Sequence, residues 1–376
     1  MNHKLKVMTV LGTRPEIIRL SEVIKKLDKY FKHTLVHTGQ NYDYELNEIF
    51  FKDLGLKKPN IFLEVSTSSA LESIGEIISK IEKHIDKVKP DAFLVLGDTN
   101  SCLAAISAKR KKIPIFHMEA GNRCFDQRVP EETNRKIVDH IADVNLTYSD
   151  IAREYLLREG FASDRVIRTG SPVAEVLKRH ASEIENSTIL QSLDLSKHSY
   201  FLVSLHREEN VDSENSIKEI GEMLNAVSSS YSLPVMVSLH PRTSKSLKKY
   251  KIKLHKNIIL HKPFGFIDYV ALQVSAKATL SDSGTINEES SILNFPALNL
   301  RNAHERPEGM EEAAVMMTGI KKERVLQGLE ILKTQKRDLE RTIQPVKDYS
   351  YENVSEKIPR IILSYINYIN SNVWKK

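Results

Sequence analysis

The stretch Lys6-Val-Met-Thr-Val-Leu-Gly-Thr-Arg-Pro-Glu16 decides the fold class of this chain. Its first six residues are mostly apolar and end at Gly12, so they predict a buried strand. Pro15 begins a helical pattern that extends to about Lys29, because proline's missing N–H is tolerated in the first turn of a helix. The stretch therefore predicts a strand–turn–helix unit, the repeating element of a parallel sheet.

The same order recurs along the chain. The first half contains further predicted strands at His33–His37, Phe93–Leu96, Ile113–His117, Val144–Tyr148 and Arg165–Arg168. After the polar residues 182–199, the second half contains strands at Tyr200–Leu205, Val235–Leu239, Ile258–Leu260, Ala278–Ser281 and Ala297–Leu300. Helical patterns separate these strands, which predicts an α/β protein with two Rossmann-like domains around a cleft.

The domain boundaries follow from the polar stretch and from the chain's end. A length of 376 residues suits two domains. We expect an N-terminal domain over residues 1–180 and a second domain over residues 181–350. Residues 351–376 have apolar side chains at helical spacing, which predicts an amphipathic helix that packs back on the body of the protein, with a possible kink at Pro359.

The composition excludes several classes of protein. Apolar residues make up 41% of the chain, yet no apolar run approaches the ~20 residues of a membrane-spanning helix, and we expect a cytosolic protein. Two cysteines cannot form a disulfide framework or a four-thiolate zinc site. A net charge of +6 is weak evidence for nucleic-acid binding and suits an anionic small molecule equally well.

Polar clusters follow several predicted strands, where open α/β sheets bind their ligands. Gly12-Thr13-Arg14-Pro15-Glu16 could bind a phosphate or carboxylate through backbone N–H groups and Arg14, although a solvated arginine is an equal alternative. The segment is neither a P-loop nor a G-x-G-x-x-G turn. Nucleoside triphosphate and dinucleotide binding therefore lose support.

Three carboxylate sites lie close together in the first half. Asp98 follows Gly97, Glu119 follows His117-Met118, and Glu131 and Glu132 follow Pro130 at a predicted helix start. Grouped carboxylates shift one another's pKa, so that one acts as an acid and another as a base. A divalent-metal site is the alternative, because Mg²⁺ also prefers carboxylates.

The second half offers groups suited to phosphate and ribose. His206-Arg207 and His240 end successive strands, and His206-Arg207-Glu208-Glu209-Asn210 is not the H-E-x-x-H zinc motif. Ser283-Gly284 opens a helix as a phosphate cradle, and a glutamate further along could accept ribose hydroxyls. Arg306 adds a cation. No arrangement that would activate Cys124 as a nucleophile is recognisable.

Taken in order, these motifs resemble the bacterial non-hydrolysing UDP-N-acetylglucosamine 2-epimerases over nearly the whole chain. The resemblance implies a glycosyltransferase B type fold, usually in a homodimer, and neither a cofactor nor a metal. It also implies inversion at C2 of a UDP-2-acetamido sugar. In that family, removal of the C2 proton and loss of UDP give a 2-acetamidoglycal, to which both return from the opposite C2 face.

The resemblance also implies roles for single residues. Asp98, Glu119 and Glu131 would be the acid–base carboxylates, and His206 would steady the diphosphate leaving group. Arg19 stands where the family often has lysine. The residues implied to bind UDP or substrate are Arg14, Arg19, Arg135, His240, Ser283, Gly284, Glu289 (through the ribose) and Arg306.

Departures from the family pattern suggest a branch. Asn122 and Thr285 stand where UDP-N-acetylglucosamine enzymes commonly have leucine and glycine. The segments 37–44 and 122–128 resemble the branch that makes UDP-N-acetyl-L-fucosamine, for capsules and O-antigens, from a 6-deoxy UDP-sugar of L-talo configuration. The alternatives are a UDP-N-acetylglucosamine 2-epimerase, a hydrolysing 2-epimerase, a glycosyltransferase of the same fold and, more distantly, a nucleic-acid-binding module.

Overall fold

The computed structural model describes residues 4–39, 44–65 and 69–376, without the side chains of residues 44–47, 208, 209 and 241. It divides the chain into two compact units. The first unit comprises Met1–Arg179 with Asp348–Lys376, and the second comprises His180–Lys347. The C-terminal segment thus belongs to the first unit.

Each unit is built on one parallel sheet. Among the described residues, the first sheet has seven strands, Lys6–Leu11 (β1), Lys32–His37 (β2), Ile61–Phe62 (β3), Ala92–Leu96 (β4), Ile115–Ala120 (β5), Val144–Thr147 (β6) and Val166–Arg168 (β7), in the order β3-β2-β1-β4-β5-β6-β7. The second has six, Phe201–Leu205 (β8), Val235–Leu239 (β9), Ile258–His261 (β10), Ala278–Ser281 (β11), Ala297–Asn299 (β12) and Met316–Met317 (β13), in the order β10-β9-β8-β11-β12-β13. The prediction of two parallel-sheet α/β domains is confirmed.

Helices connect the strands. The α-helices of the first unit are Arg14–Tyr30 (α1), Tyr44–Asp53 (α2), Ala70–Val88 (α3), Ala105–Arg110 (α4), Pro130–Ile141 (α5), Asp150–Arg158 (α6) and Val173–Arg179 (α7). Those of the second unit are Ala181–Glu185 (α8), Ile189–Ser192 (α9), Glu208–Val211 (α10), Glu214–Tyr231 (α11), Pro241–Lys249 (α12), Phe266–Ser275 (α13), Ile286–Leu293 (α14), Pro307–Glu311 (α15) and Lys322–Leu332 (α16). The chain ends with Val354–Asn372 (α17). None of the helices in the described ranges combines the length and hydropathy that a bilayer-spanning segment needs.

Burial explains why the central strands form where the sequence predicts them. Every residue of β4 and β5 is buried, as expected for parallel strands covered by helices on both faces. On α3, Ile77, Ile81 and Ile85 recur every four residues and join the hydrophobic core of the first sheet. This core supports the carboxyl ends of β1, β4 and β5.

The C-terminal helix α17 packs on the first unit as an amphipathic helix. Its side chains Ile358, Ile362, Ile366 and Ile369 are buried at helical spacing, and the helix continues through Pro359. The Ser355 amide donates to Glu175 Oε2 of α7 at 2.8 Å. Contacts with α1 and α7 therefore hold the end of the chain against the first unit.

Three details differ from the sequence predictions. Strand β5 begins at Ile115 rather than Ile113, because Pro114 has no N–H to donate to a ladder. The alanine-rich segment after β4 begins as a 3₁₀ helix, Asn100–Ala104, before α4. The two-residue edge strands β3 and β13 were not predicted, since so short a segment has no readable alternation.

Candidate active site

The loop between β1 and α1 is organised by Glu16. Its Oε2 accepts hydrogen bonds from the Gly12 and Thr13 amides at 3.0 and 2.7 Å, and its Oε1 accepts one from Thr99 Oγ1 at 3.0 Å. The carboxyl is almost fully buried, and burial raises its pKa to about 7. A Cβ on Gly12 would lie 2.1 Å from Thr38 Oγ1, so any larger residue here would displace a buried hydroxyl. Glu16 thus joins the loop after β1 to the loop after β4.

Asp98 lies directly after β4 and pairs with Arg135 of α5. The Arg135 Nη2 lies 2.7 Å from Asp98 Oδ2, and its Nη1 donates to Glu132 Oε2 at 3.1 Å. The side-chain amide of Asn134 donates a hydrogen bond to the main-chain carbonyl of Asp98 at 3.0 Å. Arg135, predicted to contact UDP, is buried in the first unit between two carboxylates, and this places it beside a candidate acid–base group.

Glu119 occupies an unusual backbone position near the end of β5. Its φ is +63°, and the register with β6 shifts between Met118 and Ala120, which marks a β-bulge. The bulge aims the buried side chain at Arg19 of α1, whose Nη1 donates to Glu119 Oε2. The side-chain amide of Asn122 donates a hydrogen bond to Glu119 Oε1 at 3.3 Å.

The structure brings Asp98 and Glu119 together around Gly97. A Cβ built on Gly97 would lie 3.6 Å from Glu119 Oε2, so the Glu119 carboxylate lies against the residue that precedes Asp98. Each carboxylate pairs with an arginine, Asp98 with Arg135 and Glu119 with Arg19. Two acid–base candidates and two cations therefore meet at the carboxyl ends of β4 and β5.

The first turn of α5 carries Glu131 and Glu132, which have different surroundings. Glu132 is fully buried and accepts hydrogen bonds from the Cys124 amide and thiol at 3.1 and 3.3 Å. Burial alone would raise its pKa, but these bonds and the charges of Arg135 and Lys136 lower it. Glu132 therefore supports the fold, whereas Glu131 is half-buried and lies four residues before Arg135, on the helix face that reaches Asp98.

The cysteine near this turn is not an activated nucleophile. Burial raises the pKa of the Cys124 thiol. The thiol donates a hydrogen bond to the Glu132 carboxylate, which also favours its protonated form. A thiol in such surroundings stays protonated. Within the residues that the structure describes, no three His, Cys, Asp or Glu side chains are grouped as ligands of one metal ion.

In the second unit, Asp282 holds His206. The buried Asp282 carboxylate accepts from the His206 and Arg207 amides at 3.0 Å each and lies 2.9 Å from His206 Nδ1. Burial alone would raise the pKa of Asp282, but His206, the Arg207 amide and Asn210 lower it to about 2. The His206 ring is thereby fixed at the end of β8, with 36% of its side chain exposed. Asp282 directly precedes the predicted phosphate cradle Ser283-Gly284 but was not itself a predicted site residue.

His240 lies beside His206, as the prediction of two histidines at successive strand ends implies. The two ring centroids are 6.2 Å apart. His240 caps α12, where its Nδ1 accepts from the Arg242 amide at 3.3 Å. The neighbouring strands β8 and β9 therefore present two imidazoles at one edge of the sheet.

Two guanidinium groups converge on Gly284. A Cβ there would lie 4.0 Å from Arg207 Nη2, 3.8 Å from Arg306 Nε and 3.8 Å from Glu305 Oε2, which pairs with Arg301 through its other oxygen. Arg306 is buried, and its Nη1 lies 3.3 Å from Glu288 Oε2. Next to Gly284, Ser283 Oγ is 2.9 Å from Thr285 Oγ1. Cations and hydroxyls around a glycine turn are suited to bind a diphosphate, and the sequence motif His206-Arg207 had offered Arg207 as a phosphate-binding group.

Two further predicted residues, Glu289 and Arg14, have contacts of their own. Glu289 on α14 accepts a hydrogen bond from Gln273 Nε2 at 2.6 Å. The Arg14 guanidinium lies 5.8 Å from the centroid of the Phe50 ring. Part of the segment 37–44, residues 40–43, and the side chains of Glu208 and Glu209 lie outside the described residues.

Comparison with known proteins identifies the family. The family model described as UDP-N-acetylglucosamine 2-epimerase matches residues 25–363. The chain belongs to this family. A solved UDP-N-acetylglucosamine 2-epimerase from Rickettsia bellii is 52% identical, with a TM-score of 0.92 over all of both chains.

More distant family members differ in the UDP-sugar they are named for. The Methanocaldococcus jannaschii UDP-GlcNAc 2-epimerase, solved with UDP-GlcNAc and UDP, is 34% identical, with a TM-score of 0.89 over 96% of this chain and all of its own. A UDP-2,3-diacetamido-2,3-dideoxy-D-glucuronate 2-epimerase from Pseudomonas aeruginosa is 31% identical and matches over 86% of this chain and 91% of its own length.

Membership of the UDP-N-acetylglucosamine 2-epimerase family makes this protein a UDP-sugar 2-epimerase, and therefore an isomerase. The predicted glycosyltransferase B type fold and the predicted family are confirmed. Family membership favours 2-epimerase activity over the alternative of a glycosyltransferase of the same fold.

Proposed function

We propose that the protein inverts C2 of a UDP-2-acetamido sugar by eliminating UDP to a 2-acetamidoglycal and adding UDP back. The observation that carries this proposal is the pair of carboxylates, Asp98 and Glu119, which meet at Gly97 with Arg135 and Arg19 as their partners. Inversion needs a base on one face of C2 and an acid on the other, and two adjacent carboxylates can divide these roles.

The bond changes balance without a cofactor. A carboxylate takes the C2 proton, the C–H electron pair forms the C1–C2 double bond, and the C1–O bond breaks with its electrons going to UDP. In the return step UDP attacks C1, and a second carboxyl group delivers a proton to the opposite face of C2. Glu131, at the start of α5, is the third candidate for these transfers.

We assign the nucleotide to the second unit. Arg207 and Arg306 near Gly284 would meet the diphosphate charge, and His206, oriented by Asp282, would stabilise the leaving group. The further proposed UDP contacts are His240, Ser283 and Glu289, the last with the ribose, and Arg14 of the first unit.

The substrate we favour is UDP-2-acetamido-2,6-dideoxy-L-talose, whose epimer is UDP-N-acetyl-L-fucosamine, a sugar donor for capsule or O-antigen. The support is segment 122–128, which connects the Glu119 bulge to Glu131 and differs from the usual family sequence. A second candidate reaction, UDP-N-acetylglucosamine to UDP-N-acetylmannosamine, is supported by the relatives from Rickettsia bellii and Methanocaldococcus jannaschii.

Proton NMR in D₂O tests the proposal with each sugar in a separate tube. Deuterium at C2 together with a new epimer in the L-talo tube alone supports the fucosamine branch. Exchange with UDP-N-acetylglucosamine alone keeps the mechanism and changes the substrate. Absence of exchange in both tubes, from protein that still binds UDP, overturns the proposed mechanism.

The same assay tests the carboxylates. Asp98→Asn, Glu119→Gln and Glu131→Gln should each lower turnover about 100-fold or more while UDP binding persists. Asp86→Asn, at an exposed carboxylate of the same unit, is the matched control and should keep full activity. A nearly wild-type rate in any of the three variants would remove that residue from the mechanism.

The homodimer implied by the family is also a proposal. Size-exclusion chromatography with light scattering on the full chain measures its mass in solution. Twice the 42.9 kDa of one chain is the expected result.

A further inference from the structure

A fully buried His117–Asp139 pair lies beneath the two candidate carboxylates. His117 on β5 donates through Nε2 to the Gly97 carbonyl oxygen at 2.7 Å. Its Nδ1 lies 2.9 Å from Asp139 Oδ1 on α5, and neither side chain is exposed. Asp139 Oδ1 also accepts a hydrogen bond from the main-chain N–H of Gly121 at 3.2 Å. One pair of side chains therefore contacts the backbone on both sides of the site.

The two backbone groups held by this pair adjoin the acid–base candidates. Gly97 immediately precedes Asp98, and Gly121 comes two residues after Glu119. Gly97, Glu119 and Gly121 all have positive φ, at +77°, +63° and +81°. Backbone in this region is unfavourable for an L-residue such as glutamate and persists only where surrounding contacts hold it.

A third buried side chain extends the network to Glu119. Arg123 Nη1 lies 2.7 Å from Asp139 Oδ2 and donates to the Asn122 carbonyl at 2.7 Å. The Asn122 side chain in turn donates to Glu119 Oε1. A series of close contacts between buried groups thus runs from Gly97 to Glu119, and the His117–Asp139 pair is part of it.

We propose that the His117–Asp139 pair is a positioning device that fixes the Asp98 loop and the Glu119 bulge relative to each other. The inference rests on the proposed assignment of Asp98 and Glu119 as acid–base groups. His117 and Asp139 would not touch the sugar. They would act by keeping the two carboxylates within reach of opposite faces of C2, where a displacement of about 1 Å lowers the rate about 100-fold.

The first unit contains a matched control for such a pair. His33 on β2 is also buried, with Nδ1 2.7 Å from Asp28 Oδ1 and Nε2 2.9 Å from Thr9 Oγ1. It lies near the start of its strand, away from the carboxyl ends where Asp98 and Glu119 are found. Loss of His33 removes a histidine–aspartate contact with an equally buried imidazole, although Asp28 is 27% exposed, and it does not touch Gly97 or Gly121.

The experiment compares His117→Leu, His117→Gln, His33→Leu and His33→Gln as full-length proteins. The readouts are thermal stability, UDP affinity by calorimetry, and kcat and KM for C2 epimerisation, measured with whichever of UDP-2-acetamido-2,6-dideoxy-L-talose and UDP-N-acetylglucosamine exchanges deuterium. His117→Leu should lower kcat about 100-fold with KM and UDP affinity nearly unchanged. His117→Gln, which can still donate to the Gly97 carbonyl, should recover much of that loss, and both His33 variants should keep wild-type kcat.

Each other outcome has a definite meaning. A wild-type kcat in His117→Leu, or an equal loss of kcat in His33→Leu, overturns the inference. If His117→Leu fails to fold, Asp139→Asn takes its place, and an unchanged kcat in Asp139→Asn overturns the inference. Wild-type turnover in Asp98→Asn would instead overturn the proposed catalytic assignment, so the two failures are distinguishable.

Discussion

Glu16 provides a sharp test of how burial sets the chemistry of the first unit. Its carboxyl is 1% exposed and accepts hydrogen bonds from Gly12, Thr13 and Thr99, yet burial raises its pKa from the usual 4.5 to about 7. Glu16→Gln keeps the shape and the acceptor oxygen of the protonated side chain but cannot ionise. The variant therefore isolates what ionisation of this one group does to stability.

The sign and the size follow from the pKa difference. A carboxyl group whose pKa is higher in the folded than in the unfolded state stabilises the fold below the unfolded pKa, and this contribution is lost as pH rises through the folded pKa. A difference between 4.5 and about 7 corresponds to about 3 kcal/mol in the free energy of unfolding. Glu16→Gln should therefore gain stability relative to wild type between pH 5 and pH 8.

The assay is denaturant unfolding of both proteins at pH 5, 6, 7 and 8, followed by tryptophan fluorescence. The chain has one tryptophan, Trp374, which belongs to the first unit. Its ring centroid lies 4.9 Å from Lys109 Nζ, so its fluorescence reports on the unit that contains Glu16. Asp86→Asn is the control for an exposed carboxyl. A difference between Glu16→Gln and wild type that stays constant with pH would refute the reasoning.

Three further predictions follow from single contacts. Gly121→Ala would place a Cβ 2.4 Å from a main-chain carbonyl at φ +81°, so it should lower the melting temperature more than Gly160→Ala, where φ is +92° but no atom lies within 4 Å. Asp282→Asn should weaken UDP binding about 10-fold in calorimetry, and it should remove the acid-induced loss of stability that wild type shows as pH falls from about 4 toward the pKa of about 2. Arg19→Lys, which retains the cation, should keep most of the activity, whereas Arg19→Gln should lower kcat about 100-fold in the NMR assay.

The sequence predicted the central part of both sheets, and burial explains why. Strands such as β4 are covered on both faces, so their residues form a continuous apolar run that ends at a glycine or a polar residue. Edge strands such as β3 and β13 have only two residues, and their pairing is decided by neighbouring strands. Local sequence therefore shows where a buried central strand lies, but it does not show which neighbour an edge strand pairs with.

The candidate site was predicted in part for a related reason. Asp98 and His206 directly follow strands and Glu119 lies near the end of one, and a polar residue at such a place can be recognised from a short segment. Asp282 and Asp139 were not predicted as site residues, because they act through contacts with residues distant in the sequence, such as His206. No local pattern distinguishes them from an ordinary buried or capping aspartate.

The backbone at Glu119 carries information that the sequence does not show. Among the described residues with positive φ other than glycine, Glu119 and Asn294 are the two that are buried. Asn294 ends α14 in the left-handed conformation typical of a helix C-cap, which accounts for its φ. Glu119 lies within a strand, where a capping role is impossible and a regular ladder would aim its side chain elsewhere. A strained glutamate held by the bulge, Arg19 and Asn122 is the arrangement expected when side-chain direction matters more than strand stability.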